Sequence, residues 1–367
     1  MHISTLYIEK LRNLTQVNLD NVGTVNIVFG QNGSGKTSVL EAIYCLGFGR
    51  SFRTHQSKQI VQATEEAFTV FAKLKADTAD NREHRIGFSR SRTGESQIRI
   101  DGESRVRFSE LAQYTPVQLI TPEGVALVTD GPKARRQFMD WGLFHVEHAQ
   151  YQHWVNYSRL LKQRNTLLRE GKYFSDGGSY WDKELIKAGD ALTQARKAYL
   201  HSLNEYLAEY TNRFLPDIKF EFKLLPGWSE KYESFEEALV DKLELDTKQG
   251  FTSVGPSKAE WLIKADGVDA KERLSRGQLK LLVAALRFVQ GDHYKAVTGK
   301  QCVYLVDDLP AELDVINQEK LCKALADTKS QVFVTTIEKE NLLMHFKNDE
   351  TRLFHVEHGT VKEITTG

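Results

Sequence analysis

The sequence predicts an α/β fold: a mixed sheet around a phosphate-binding loop, with a mainly helical domain inserted into the chain. Three observations predict it. "GQNGSGKTS" at residues 30–38 sits between a strand pattern and a helix pattern. From about residue 130 to 214 the apolar residues recur at helical spacing. The buried-strand runs "CVYLVDD" and "QVFVTTIEKE" then return after residue 300. The predicted head comprises residues 1–125 and 246–367, and the inserted helical domain residues 126–245.

In chain order, "STLYIEKLRNLTQVNLDNVGTVNIVFG" reads as short strands leading to a buried one at Val25–Phe29. Past the loop, Val39, Leu40, Ile43, Tyr44 and Leu46 have helical spacing. Residues 68–110 read as β-structure, with Asp101-Gly102 as a tight hairpin turn. One long helical pattern opens at Pro132 and closes at Gly171, and a second runs from about Tyr180 to Phe214. Leu185, Leu192, Tyr199 and Tyr206 are seven apart in the second, and Trp154, Leu161 and Leu168 in the first. This spacing suggests an antiparallel helical hairpin, with an ordinary helical subdomain as the alternative. "RLFHVEHGTVKEI" ends the chain as a β-hairpin, and the double occurrence of "FHVEH" is a coincidence of one helix and one strand.

Composition narrows the possibilities. A chain of 367 residues suggests two domains, and 41% hydrophobic residues suit ordinary globular cores. Lys plus Arg is 49 and Asp plus Glu is 49, so nucleic-acid binding would need a local patch. Cys45, Cys302 and Cys322 form no CxxC pair and read as reduced thiols. The start lacks a signal pattern and no apolar run is long enough to cross a bilayer, so a cytoplasmic chain without membrane contact is expected.

Chemistry concentrates in three motifs. Gly30, Gln31, Asn32, Gly33, Ser34, Gly35, Lys36, Thr37 and Ser38 contain G-x-x-x-x-G-K-T, a loop whose backbone N–H groups cradle phosphates. Lys36 would contact the β/γ-phosphates and the Thr37 hydroxyl would ligate Mg²⁺. Asp307, at the end of the Val303–Val306 strand, would hold the same ion. Asp308 would orient or deprotonate water. Alone, this acid pair could simply cap a turn. "LSRGQ" at residues 274–278 opens a helix with Ser275, Gly277 and Gln278, a ready anion site that is otherwise only a capped helix.

Together the loop, LSRGQ, the acids and "AELD" resemble the ATP-binding-cassette superfamily, which implies an ATPase head of that type with ATP and Mg²⁺ as cofactors. In that superfamily the LSxGQ segment closes on the γ-phosphate held by a partner's loop. On this resemblance Ser275 would assist catalysis beside Asp308 and Lys36, across an ATP-dependent homodimer. More than two hundred residues separate Thr37 from Leu274. Transporter subunits have a shorter insert and a His where this chain has Thr335 or Thr336. A structural SMC ATPase would need a far longer coiled coil. Nearly end to end the chain instead resembles the RecF family, through "LRNL", "GRSFRT", "GPKARRQFMDWG", "LSRGQLKLL" and "YLVDDLPAELD". That resemblance implies weak, DNA-stimulated ATP hydrolysis, clamping of DNA at single-strand gaps or junctions, and RecR and RecO as partners. It also implies recombinase loading, replication restart and SOS induction; the alternative is a transporter subunit. Ser257 and Glu260 in "GPSKAE" depart from the family's usual His and Asp.

Arg50, Arg53, Arg82, Arg85, Arg90, Arg92, Arg99, Arg105, Arg107, Arg135 and Arg136 are candidates for gripping phosphates, or a solvated charged face. His145 and His148 read as packing or solvent residues rather than metal ligands.

Overall fold

The computed structural model describes residues 2–75, 83–105, 107–146, 148–308, 312–346 and 350–364. Arg82, the His148 side chain and Ala311 of "AELD" lie outside what is described. The chain divides into two compact units, residues 1–124 with 283–367, and residues 125–282.

In the first unit, two six-stranded sheets share one core. The antiparallel sheet runs in the order Leu14–Leu19, His2–Leu11, Ala67–Lys75, Glu83–Ser91, Ser96–Ile100, Glu103–Arg105. Its strands alternate, with Phe68, Val70, Ala72 and Leu74 buried and the residues between them more exposed. This is the pattern of a sheet with one face on a core. Asp101 and Gly102 both have positive φ, 52° and 88°, as the hairpin turn predicted there requires.

The second sheet has the order Thr360–Ile364, Thr351–Glu357, Val25–Phe29, Gln331–Thr336, Val303–Val306, Val117–Ile120. It is parallel apart from the first edge strand. Gln331–Thr336 and Val303–Val306 are buried along their whole length, which explains the apolar runs Val332–Val334 and Val303–Val306. Helix Lys36–Phe48 is buried from Ser38 to Gly47, and its apolar residues pack with both sheets in the common core. Burying each large apolar side chain there contributes about 1.5–3 kcal/mol.

In the second unit the second expected long helix is interrupted at Leu203, and the first is described as two segments on either side of residue 147. Pro132–Val146 and His148–Arg169 form the first pair, Gly178–Ser202 and Asn204–Phe214 the second. His148–Arg169 and Gly178–Ser202 pack against each other as a hairpin. Leu185, Leu192 and Tyr199 are buried as the seam predicts. Past the break, Leu203 and Leu207 carry burial instead of Tyr206, and in the first helix the buried row is Tyr157, Leu160, Arg164 and Leu167 rather than Trp154 and Leu161. The reason is Arg164, fully buried on that face: its Nε donates to Asp182 at 2.7 Å, and one terminal nitrogen donates to Asp246 at 2.9 Å and Thr252 at 2.8 Å.

The C-terminal boundary expected at residue 246 also differs. Residues 246–282 belong to the second unit because strand Phe220–Leu225 pairs with Glu260–Ala265, and because Asp246 and Thr252 bind Arg164. The unit therefore carries a three-stranded sheet. Trp261 of that sheet stacks on Phe138 and Phe222, with ring centroids 5.1 and 5.4 Å away.

Arg164→Ala would leave the buried Asp246 carboxylate uncompensated. Urea unfolding is expected to show a loss of about 3–5 kcal/mol. A loss below about 1 kcal/mol would mean that this network does not hold the helices together.

Candidate nucleotide-binding site

Strand Val25–Phe29 delivers the chain to Gly30, and the loop turns by positive φ at Gly30 (153°), Gly33 (76°) and Gly35 (121°). Two of these glycines are also required by space. A Cβ on Gly30 would come within 2.2 Å of the Val356 carbonyl, and one on Gly35 within 2.9 Å of Leu14. Lys36 is buried, and its Nζ donates to the carbonyls of Gly30 at 2.9 Å and Gln31 at 3.2 Å. The ammonium is thus held over the loop, and the following residues begin a helix whose free N–H groups favour an anion.

The acids meet this loop. Asp307 Oδ1 accepts from the Thr37 hydroxyl at 3.0 Å and from the Thr335 hydroxyl at 2.8 Å. Thr335 Oγ1 in turn accepts from the Asp308 backbone N–H at 2.8 Å. Thr335, fully buried, is therefore the residue standing beside the acids, while Thr336 turns its hydroxyl to the Glu338 carbonyl. Asp308 has φ of 44°, a conformation uncommon for a residue with a Cβ. Among the described residues its buried Oδ1 has no hydrogen-bond partner, and the residue lines the cleft that Lys36 and Thr37 also line.

That cleft has a volume of about 590 Å³ and is rich in cations that the motifs alone did not place there: Arg12, Arg53, Lys58 and Arg92. Arg12 forks onto Glu41 of the loop helix, at 2.9 and 2.8 Å. Glu41 is fully buried and also accepts from the Ser51 hydroxyl, and Arg53 lies 3.9 Å from it. Asn13 donates to the Ser34 carbonyl at 2.8 Å and accepts from the Ser38 hydroxyl at 3.2 Å. So "LRNL" and "GRSFRT" are structural parts of the loop's surroundings. The only hint in sequence was a charged residue, Glu41, inside an apolar helix pattern.

Thr37 and Asp307 supply hard oxygen ligands, the donor set that suits Mg²⁺. Among the described residues no group of three or more His, Cys, Asp and Glu side chains could enclose a metal. The fit is therefore to an ion that shares its ligands with a bound phosphate.

Ser275, Gly277 and Gln278 lie in the second unit. Ser275 caps helix Arg276–Thr298: its Oγ accepts from the Gln278 N–H at 3.3 Å, and Gln278 Oε1 accepts from the Ser275 N–H at 2.9 Å. Ser275 is exposed. A Cβ on Gly277 would meet nothing within 4 Å, so no internal contact requires that glycine.

Several candidate arginines are committed within the protein. Arg135 forks onto Glu260 at 2.7 and 2.9 Å, which gives the departing residue Glu260 a structural partner. Arg136 donates to the Ala259 carbonyl at 2.8 Å. Ser257 is met by the Tyr157 hydroxyl at 3.4 Å. Arg92 binds the Ala63 carbonyl at 2.9 Å, and Arg105 the Glu103 carboxylate at 2.7 Å. Among the described residues no helix is long and apolar enough to cross a membrane.

A phosphate loop, an acid-tipped strand one strand removed in the same sheet and an antiparallel sheet on the same core define an ATP-binding-cassette-type nucleotide-binding head. The profile of the RecF/RecN/SMC N terminal domain family matches residues 2–362. The chain belongs to this family, on its RecF branch. The DNA replication and repair protein RecF of Shewanella piezotolerans is 44% identical over 364 residues, covering 99% of this chain and 100% of that protein. That of Shewanella oneidensis is 43% identical over the same length and coverage. A solved structure of the recombination mediator protein RecF with ATP, from the RecFOR pathway, has a TM-score of 0.87 at 25% identity and covers 99% of this chain and 98% of its own. The Smc head domain from Pyrococcus furiosus shares the fold, with a TM-score of 0.60 at 15% identity over 100% of this chain and 96% of its own.

Burial pushes the Asp307 carboxyl up; the Thr335 and Thr37 hydroxyls pull it down, and Asp308 and Glu123 add to the rise. Its folded pKa lies above the unfolded value, so its stabilising contribution exists at acid pH and is lost as pH rises through the folded pKa. At neutral pH the ionised group weakens the fold. Asp307→Asn keeps the Oδ1 acceptor and removes the charge. Without nucleotide at pH 7 it is expected to raise Tm by about 2 °C, about 1 kcal/mol. The gain should shrink as pH falls toward about 4. A Tm below wild type at pH 7 would contradict this reading.

Proposed function

We propose that the chain is an ATP-dependent DNA-binding protein of recombinational repair. It binds ATP, dimerises around two nucleotides, clamps DNA at single-strand gaps and releases it on hydrolysis. Its turnover is weak and stimulated by DNA. RecR and RecO are its partners, and its work supports recombinase loading, replication restart and SOS induction. The relatives' name and the RecFOR context of the solved RecF structures support the biological part.

The observation that carries the chemical part is the bridge from Thr37 to Asp307 to Thr335 beside the glycine loop. The loop N–H groups and Lys36 hold the β/γ-phosphates. Thr37 and Asp307 would hold Mg²⁺, which would supply charge neutralisation at those phosphates. Asp308, with an unpartnered buried oxygen lining the cleft, orients the attacking water and takes its proton. Ser275 and Gly277 serve the site of a second copy. A glycine in the first helical turn, with no internal contact to require it, fits close approach by an outside phosphate.

Lys36→Ala and Asp308→Asn test the reading together, by calorimetric ATP titration and single-turnover hydrolysis. Lys36→Ala is expected to abolish ATP binding. Asp308→Asn should bind ATP within about twofold of wild type and cleave it at least about 100-fold more slowly. Normal ATP affinity in Lys36→Ala, or normal cleavage in Asp308→Asn, would overturn these roles.

A further inference from the structure

The antiparallel sheet of the first unit buries one face and leaves the other open. On the open face, register sets Asn18, Tyr7, Phe71, Gly87, Arg99 and Ser104 side by side in one row across the strands. Tyr7 and Phe71 alternate with buried neighbours, so both rings belong to this face. At Gly87 the row has no side chain, and a hollow of about 490 Å³ opens there. Phe71, Arg85, Gln97 and Arg99 line it. A Cβ on Gly87 would meet only Arg99 Cβ, at 3.9 Å.

The face also carries more positive than negative charge. Lys73, Lys75, Arg85 and Arg99 lie on it, against Glu9 and Glu83. Arg85 reaches Glu83 only at 3.6 Å and remains exposed, a pair of little strength. Among the described residues Lys73, Lys75 and Arg99 have no carboxylate partner, unlike Arg105 of the same stretch, and none is tied to loop carbonyls as Arg92 is. These free cations therefore lie beside an aromatic ring and a hollow of ligand size.

We infer that this open face binds single-stranded DNA, with one base seated in the Gly87 hollow against Phe71. Arg85 and Arg99 grip the flanking phosphates, and Lys73 and Lys75 continue the track. Every base has a π-face, so stacking on Phe71 is independent of sequence, and the phosphates pair with cations that, among the described residues, have no carboxylate partner (Lys73, Lys75, Arg99) or only a weak, exposed one (Arg85). A duplex hides its base faces and gains nothing from the hollow. The inference rests on the DNA-binding reading above and gives it a surface.

The test is fluorescence anisotropy with the full chain and ATP, using a labelled oligothymidine strand and a blunt duplex. The variants are Gly87→Leu, which fills the hollow, and Arg99→Gln. Each is expected to weaken single-strand binding about tenfold. Arg99→Gln should lower the slope of log K against log salt by about 0.7. Duplex binding should change less than about twofold, with ATP binding and Tm unaltered. If wild type binds the strand and both variants bind it equally well, this face is not the site. Equal loss of duplex binding would also overturn the assignment to single strands. If wild type binds neither form, the DNA-binding reading fails, and the face with it.

Discussion

The hydroxyl–carboxylate bridge between Thr37, Asp307 and Thr335 is the constraint on which the candidate site depends. It joins the helix that follows strand Val25–Phe29 to the end of Val303–Val306 and to Gln331–Thr336, three neighbours in the parallel sheet. Val306 pairs with Val334 and Val334 with Ile27, so strand Val303–Val306 ends two residues before its neighbours and Asp307 emerges beside Thr335. A one-residue slip of strand Gln331–Thr336 would turn Thr335 to the opposite face and leave Asp307 buried without its second hydroxyl. The long buried apolar runs therefore do more than fill a core. Their packing fixes the register that aims the acid at the loop.

Around that bridge, distant parts of the chain brace the same loop. Arg12 and Ser51 meet on Glu41 of the loop helix. Asn13 holds the Ser34 carbonyl from one side, and the Gly359 N–H reaches it at 3.1 Å from the other. Gly359 has φ of 77°, and a Cβ there would fall 2.0 Å from the Asn13 carbonyl. A turn near the end of the chain thus lies against a turn near its start. This explains why the head is assembled from both ends of the sequence, with the rest inserted between them.

The parts of this arrangement that rest on local chemistry were legible in the sequence. The glycine loop, the acid-tipped strand, the Asp101-Gly102 turn and the seam at Leu185, Leu192 and Tyr199 each follow from short-range spacing. What was not legible depends on partners far apart in the chain. Nothing near Thr335 says that its hydroxyl will meet Asp307. A run of arginines looks uniform until Arg135 finds Glu260 and Arg99, among the described residues, finds no carboxylate. The break before Asn204 and the buried Arg164 shift the helical seam for the same reason. The boundary at residue 246 missed a strand pairing between Phe220–Leu225 and Glu260–Ala265 that no periodicity announces.

The central claim is that the loop of one copy and the LSRGQ cap of another complete a single ATP site. Mixing Lys36→Ala with Ser275→Arg tests it most directly, because a mixed dimer concentrates both lesions in one composite site and leaves the other intact. ATPase assays and sedimentation on the two variants, alone and mixed, read the outcome. Each variant alone should be inactive, and hydrolysis should reappear on mixing. Mixed dimers that form without any recovery of activity, or normal ATP-driven dimerisation of Ser275→Arg alone, would contradict the account.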